Sequence, residues 1–189
     1  MTLKPWRLID TTELADARIF TLHLDTAVSP RTGEAREFVR VDSPTWVNIV
    51  PVTTEGEVVL VRQWRHGIRE FTLEIPGGLV DLGEDPGHAA AREVREETGY
   101  AGDDPVEIGR VHANPAFLDN VTYTYLIENC CLVGEQQLDP GEDVEVVTVP
   151  LADIPALVAR GDIRHSLVIC GFWWLAQRRP DLLTPGPGR

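Results

Sequence analysis

With 189 residues, 43% of them hydrophobic and 25% charged, the chain is long enough for one domain with a full core and has the balance of a soluble globular protein. Its 17 basic and 30 acidic residues leave a net charge of −13, which argues against a surface built to track a nucleic-acid polymer or an anionic membrane, since neither offers counterion release to an acidic protein. No apolar run approaches the roughly 18 residues of a membrane span, and the start MTLKPWRLID has no apolar signal core; with Cys130, Cys131 and Cys170 read as reduced core thiols, the expected compartment is the cytoplasm.

In chain order, RIFTLHLDTAV and REFVRVD alternate apolar and polar residues around the turn SPRTGE, the pattern of a β-hairpin between Arg18 and Asp42. Three β-branched runs follow, WVNIVPV, EVVLVRQW and FTLEI, and lead into PGG and an acidic segment. Beyond Gly99 come the strand patterns VEIGRVH, NVTYTYLIENCCLV and VEVVTVPL, then the helical patterns LADIPALVARG and HSLVICGFWWLAQRR. In the second of these His165 stands at the start, as a cap rather than a ligand. The expected fold is α/β with a mixed sheet and an N-terminal β-hairpin appendage. The expected boundaries are an N-terminal β segment over 1–43, a main domain over 44–180 and a flexible tail over 181–189.

The acidic segment has well-marked ends. Asp85 before Pro86 is an N-cap with proline in the first helical position, and Gly99 stands where a left-handed C-cap belongs, so a helix is expected from Pro86 to Thr98. At helical spacing Ala90, Ala91, Val94 and Thr98 share one side, with Glu93, Glu96 and Glu97 on an adjoining arc. Clustered carboxylates repel. Two readings stand at this point: a solvated acidic face, or oxygen ligands for Mg²⁺ or a similar hard cation that in turn holds a phosphate ester.

The wider spacing adds a resemblance. From Gly78 to Tyr100 the chain follows G-x5-E-x7-R-E-U-x-E-E-x-G-U, with Gly78, Glu84, Arg92, Glu93, Val94, Glu96, Glu97, Gly99 and Tyr100 filling all nine specified positions. This resembles the box of the Nudix hydrolases. The resemblance implies the Nudix-type α/β/α sandwich and divalent-metal-dependent hydrolysis of a nucleoside diphosphate linked to another moiety. It further implies two or more Mg²⁺ or Mn²⁺ ions held by Glu93, Glu96, Glu97 and the carbonyl of Gly77, with Glu84 auxiliary and Arg92 orienting a box carboxylate such as Glu96. The family often draws its general base from a later loop, and LDPGEDVE offers Glu142, Asp143 and Glu145, of which Glu142 is preferred.

Three further stretches resemble the ADP-ribose and nucleoside diphosphate sugar pyrophosphatase branch: VRQWRHG, LEIPGGLVDLGED, and Pro115, sixteen residues after Gly99. They imply phosphate or ribose contact by Arg65, base stacking by Trp46 or Trp64, and contributions from Asn48 and Pro115. They also imply a homodimer in which the N-terminal hairpin crosses to a partner subunit. The loop reads NPAFLDN where specialists for ADP-ribose carry SPG and an early glutamate, leaving Asp119 as a stand-in base. The alternatives are a dinucleotide or nucleoside triphosphate pyrophosphatase, or a nucleotide-binding Nudix-like sensor without catalysis, though sensors usually lose box glutamates and none is missing here.

Overall fold

A computed structural model describes residues 2–183. It resolves into two compact units, one formed by residues 1–45 with 112–121 and the other by residues 46–111 with 122–189.

The smaller unit is a three-stranded antiparallel sheet in the order β1 (Arg7–Asp16), β2 (Thr21–Val28), β3 (Ala35–Asp42). The expected hairpin is the β2–β3 pair. The strand β1 lies ahead of it in RLIDTTELAD, where alternation is broken by register shifts between Leu8 and Asp10 and between Glu13 and Ala15, so the period-2 signal fails. The loop 112–121 is fastened to the end of β3. Asp119 accepts from Arg40 Nη1 at 3.1 Å and from the Ser43 amide at 3.2 Å, and the Val41 amide donates to the Phe117 carbonyl at 2.7 Å.

The larger unit is built on a mixed sheet of β4 (Trp46–Thr53), β5 (Glu57–Arg65), β6 (Glu70–Glu74), β7 (Gly77–Leu79), β8 (Tyr100–Ala101), β9 (Val106–Val111), β10 (Thr122–Leu132) and β11 (Val144–Pro150). Its spine runs β11-β5-β4-β10-β8, with β6 on β5, β7 on β4 and β9 on β10. Only β4 and β10 pair in parallel, with Asn48 beside Thr124 and Val50 beside Leu126. Both strands are buried on two faces, which is why WVNIVPV is nearly continuous in apolar residues instead of alternating.

Helix α1 (Pro86–Thr98) covers one face, packing Ala89, Ala90 and Val94 against Val47, Ile49, Tyr125 and Ile127. Helices α2 (Ile154–Arg160) and α3 (Ser166–Arg178) cover the other, where Ile154, Val168, Phe172 and Leu175 meet Val50, Val52, Leu60 and Leu126. The result is an α/β/α sandwich. No helix among the described residues is long and apolar enough to cross a membrane.

The ends of α1 are where the residues place them. Asp85 accepts from the amides of Gly87 at 2.9 Å and His88 at 3.2 Å, and Gly99 closes the helix at φ 74°, a backbone angle that glycine adopts without strain. The buried stripe differs from the expected one: Ala91 is exposed, while Ala89 lies inside and Glu93 and Glu97 lie on the buried stripe itself, with Glu96 only half covered. Cys130 is buried, but Cys131 is exposed and Cys170 intermediate, so the three free thiols are not all core residues as expected. His165 holds the N-cap position of α3 without a side-chain capping bond. A short 3₁₀ turn spans Pro180–Leu183, and the part of the expected tail from 184 to 189 lies outside the described residues.

Replacing Asp85 by alanine removes both capping bonds at the start of α1. It should lower stability by about 1 kcal/mol in urea unfolding, with the denaturant slope unchanged; an unchanged midpoint would show that the cap does not define this helix.

Candidate active site

The site is assembled where α1 lies over β7 and the start of β4. Asn48 pairs across the sheet with Gly77, and Val47 with Gly78, which brings the GG dipeptide of PGGL beneath the helix. A Cβ on Gly78 would fall on the Glu93 carboxylate, and one on Gly77 would fall on the Val47 carbonyl. Both glycines are therefore needed for close approach and not for an unusual turn. The Gly77 amide donates to Glu97 Oε2 at 3.0 Å, tying the strand to the helix twenty residues further on.

The carboxylates divide into two environments. Glu97 is only 4% exposed, and burial first, then the negative charges of Glu93 and Glu142, push its pKa up to about 8 against the lowering effect of the Gly77 amide. Burial likewise raises Glu93 above the usual carboxylate range, although Arg92 opposes it. Glu84 is held below that range, chiefly by the hydrogen bond from Arg92.

Arg92 is the hub of this group. Its guanidinium donates to Glu84 from Nε at 3.0 Å and Nη2 at 2.9 Å, to Glu93 at 2.7 Å, to Glu96 at 3.1 Å and to the Leu79 carbonyl at 3.1 Å. The expected pair with Glu96 is present, and it is one of five bonds. Arg92 holds Glu84, Glu93 and Glu96, and no three His, Cys, Asp or Glu side chains among the described residues converge on one ion-sized point. The donor set still fits a hard divalent cation. Glu97 is a buried carboxylate whose only hydrogen-bond donor among the described residues is one backbone amide, beside a second buried carboxylate and a glycine backbone that leaves room for close approach.

The other predicted residues fall in different places. Glu142 lies on the loop before β11, near enough for its charge to act on Glu93 and Glu97, and its Oε2 accepts from the Asp139 amide at 3.0 Å. Asn48 is 7% exposed and its Nδ2 is a buried donor without a partner among the described residues. Trp46, at the start of β4, is partly covered and pairs with Leu79. Arg65 ends β5 with its guanidinium on the buried Glu74. Pro115 sits exposed in the loop 112–121 of the smaller unit, where Asp119 is engaged by Arg40 and the Ser43 amide.

Two features escaped the reading of the residues alone. Glu74 makes an ion pair inside the sheet, and the visible signal was a carboxylate in the apolar run FTLEI. Gln136 donates to the Glu97 carbonyl at 2.6 Å and the Val144 carbonyl at 3.1 Å, joining the end of α1 to β11, and nothing in GEQQ marks it.

Residues 43–170 match the NUDIX domain. The chain is 31% identical over 152 residues to an ADP-ribose pyrophosphatase of Bacillus subtilis, covering 80% of this chain and 82% of the relative. It is 29% identical over 171 residues to a methanol dehydrogenase activator of Bacillus methanolicus, covering 89% and 91%. A crystal structure of an ADP compounds hydrolase superposes with a TM-score of 0.83 at 22% sequence identity, over 94% of this chain and 95% of that one, which shows the shared fold. With the box running from β7 through α1 to β8, and the NUDIX domain matched over residues 43–170, the chain belongs to the Nudix hydrolases.

Proposed function

We propose that this hydrolase cleaves the pyrophosphate of nucleoside diphosphate sugars of the ADP-ribose class, yielding a nucleoside monophosphate and a sugar phosphate. The observation that carries the reading is the pair Glu93 and Glu97, sunk in the packed stripe of α1 against the Gly77–Gly78 backbone. Burying a carboxylate is costly unless it is protonated or a counter-charge meets it, and a bound cation supplies that counter-charge. The similarity to the Bacillus subtilis ADP-ribose pyrophosphatase supports the substrate class.

Glu93, Glu96, Glu97 and the carbonyl of Gly77 would hold two or more Mg²⁺ or Mn²⁺ ions. When bound, such ions neutralise charge growing on the phosphate oxygens and make a nearby water more acidic. Glu142 takes a proton from the attacking water, and its loop position lets it approach from outside the helix. Arg65 binds a phosphate through its remaining N–H edge, and the place of Asn48 beside Gly77 supports its contribution to the pocket. Trp46 stacks on the base, while the role of Pro115 rests on the family resemblance alone.

The protein acts as a homodimer in this account. The smaller unit supports this: every residue of β1 is exposed, and Leu8 and Phe38 share one face of the sheet, with Trp6 packed edge-on to Phe38, all three 45–57% exposed. An apolar surface of that kind marks an interface. The three free thiols accord with a reducing compartment, the cytoplasm.

Phosphomonoester release from ADP-ribose, ADP-glucose, GDP-mannose, UDP-glucose and ATP, with Mg²⁺ or Mn²⁺, tests this reading. The diphosphate sugars should turn over, and Glu97→Gln should lower kcat at least about a hundredfold by removing a charged ligand from the site. Turnover of ATP alone would overturn the substrate class, and a wild-type rate in Glu97→Gln would overturn the role of the buried carboxylates.

A further inference from the structure

The hairpin of β5 and β6 carries a second buried charge system that the box does not contain. Its register pairs Arg65 with Glu70, Gln63 with Thr72 and Val61 with Glu74, so Arg65, Thr72 and Glu74 lie on the same face of the hairpin. Glu74 is 1% exposed. Its carboxylate accepts from Arg65 Nε at 2.9 Å and Nη2 at 2.6 Å and from Thr72 Oγ1 at 2.5 Å, and His165 Nδ1 stands 3.7 Å from Oε2. Although burial alone would raise Glu74, the bonds from Arg65 and Thr72 outweigh it and keep the carboxyl below its usual range. Burial lowers His165, so the Arg65 guanidinium is the charge that answers Glu74.

An ion pair to a buried carboxylate gives little net stability, because the attraction mainly offsets the desolvation of that carboxylate. What the two-pronged contact does supply is orientation. With Nε and Nη2 both committed to one fully buried carboxylate, the guanidinium plane cannot turn, and Nη1 is left without a protein acceptor among the described residues. The Arg65 side chain stays 37% exposed, and it lies close enough to Glu97 for that carboxylate's charge to act on it. The fixed cation therefore borders the box carboxylates.

We propose that Glu74, steadied by Thr72, is a positioning residue that holds the Arg65 guanidinium in the one orientation in which its outer edge meets a phosphate of the substrate. This rests on the reading of Arg65 as a phosphate contact. Glu74 itself touches no substrate, and its whole effect passes through Arg65.

Steady-state KM and kcat for the best-cleaved diphosphate sugar, with melting temperatures, for wild type, Glu74→Gln, Arg65→Ala and the double variant, test it. Glu74→Gln should raise KM about tenfold, the scale of one misdirected charge-assisted hydrogen bond, with kcat within about threefold of wild type. In the Arg65→Ala background the same change should leave KM where Arg65→Ala alone puts it. Should Glu74→Gln not fold, Thr72→Val loosens the same carboxylate and must show the same loss of effect without Arg65. A KM effect that persists in the Arg65→Ala background overturns the proposal, as does an unchanged KM in a folded Glu74→Gln. A wild type that cleaves no diphosphate sugar overturns the functional reading and this proposal with it, whereas wild-type turnover with additive effects overturns this proposal alone.

Discussion

Two carboxylates on the buried side of a helix set the terms for the rest of this molecule. Glu93 and Glu97 occupy the stripe by which α1 packs on the sheet, positions where an apolar side chain would be the stable choice. The surroundings answer that strain in definite ways. Arg92 gathers Glu84, Glu93 and Glu96, and the Gly77 amide serves Glu97. The segment after β10 satisfies carbonyls that the helix end would leave bare, with Val133 donating to Gly99, Gln137 to Glu96 and Gln136 to Glu97. A helix carrying such charges is thereby held at both ends and along its length.

The strands divide the remaining work. The parallel pair β4 and β10 is packed on both faces and supplies rigidity, while β7 passes under α1 as bare backbone because two glycines leave space for the carboxylates. The β5–β6 hairpin brings the positive charge. In the proposed reading, an acidic protein with a net charge of −13 would meet a phosphorylated ligand through this local arrangement of guanidinium, amide and cation, and not through its overall field.

Most of the scaffold was legible because its signals are local. Asp85, Pro86 and Gly99 mark both ends of α1 without reference to any other element, and the β-branched runs between Trp46 and Ile75 mark their strands. The family was legible because nine residues stand at fixed spacing between Gly78 and Tyr100, five of them on α1. What local pattern could not give was depth. Helical periodicity placed Glu93 and Glu97 beside the buried stripe because they are charged, whereas the sheet beneath them places them on it. Strand β1 was lost to its register shifts, and the ion pair of Arg65 with Glu74 joins two strands whose register only the folded hairpin defines. The latch of Asp119 on Arg40 is of the same kind, since residues 79 apart meet only once the loop returns to β3.

Burial among other carboxylates should keep Glu97 protonated near neutral pH in the metal-free protein, and a divalent cation should take the place of that proton. With a pKa of about 8 Glu97 is mostly neutral at pH 7, and a cation binds only its ionised form. The direct measurement is calorimetric titration of Mn²⁺ into the metal-free protein at pH 7 in two buffers of different ionisation enthalpy, repeated at pH 9. The account predicts release of about one proton per protein at pH 7, falling towards none at pH 9, with apparent affinity rising between the two. Binding with no proton release at pH 7 would show that Glu97 is already ionised, and would contradict the claim.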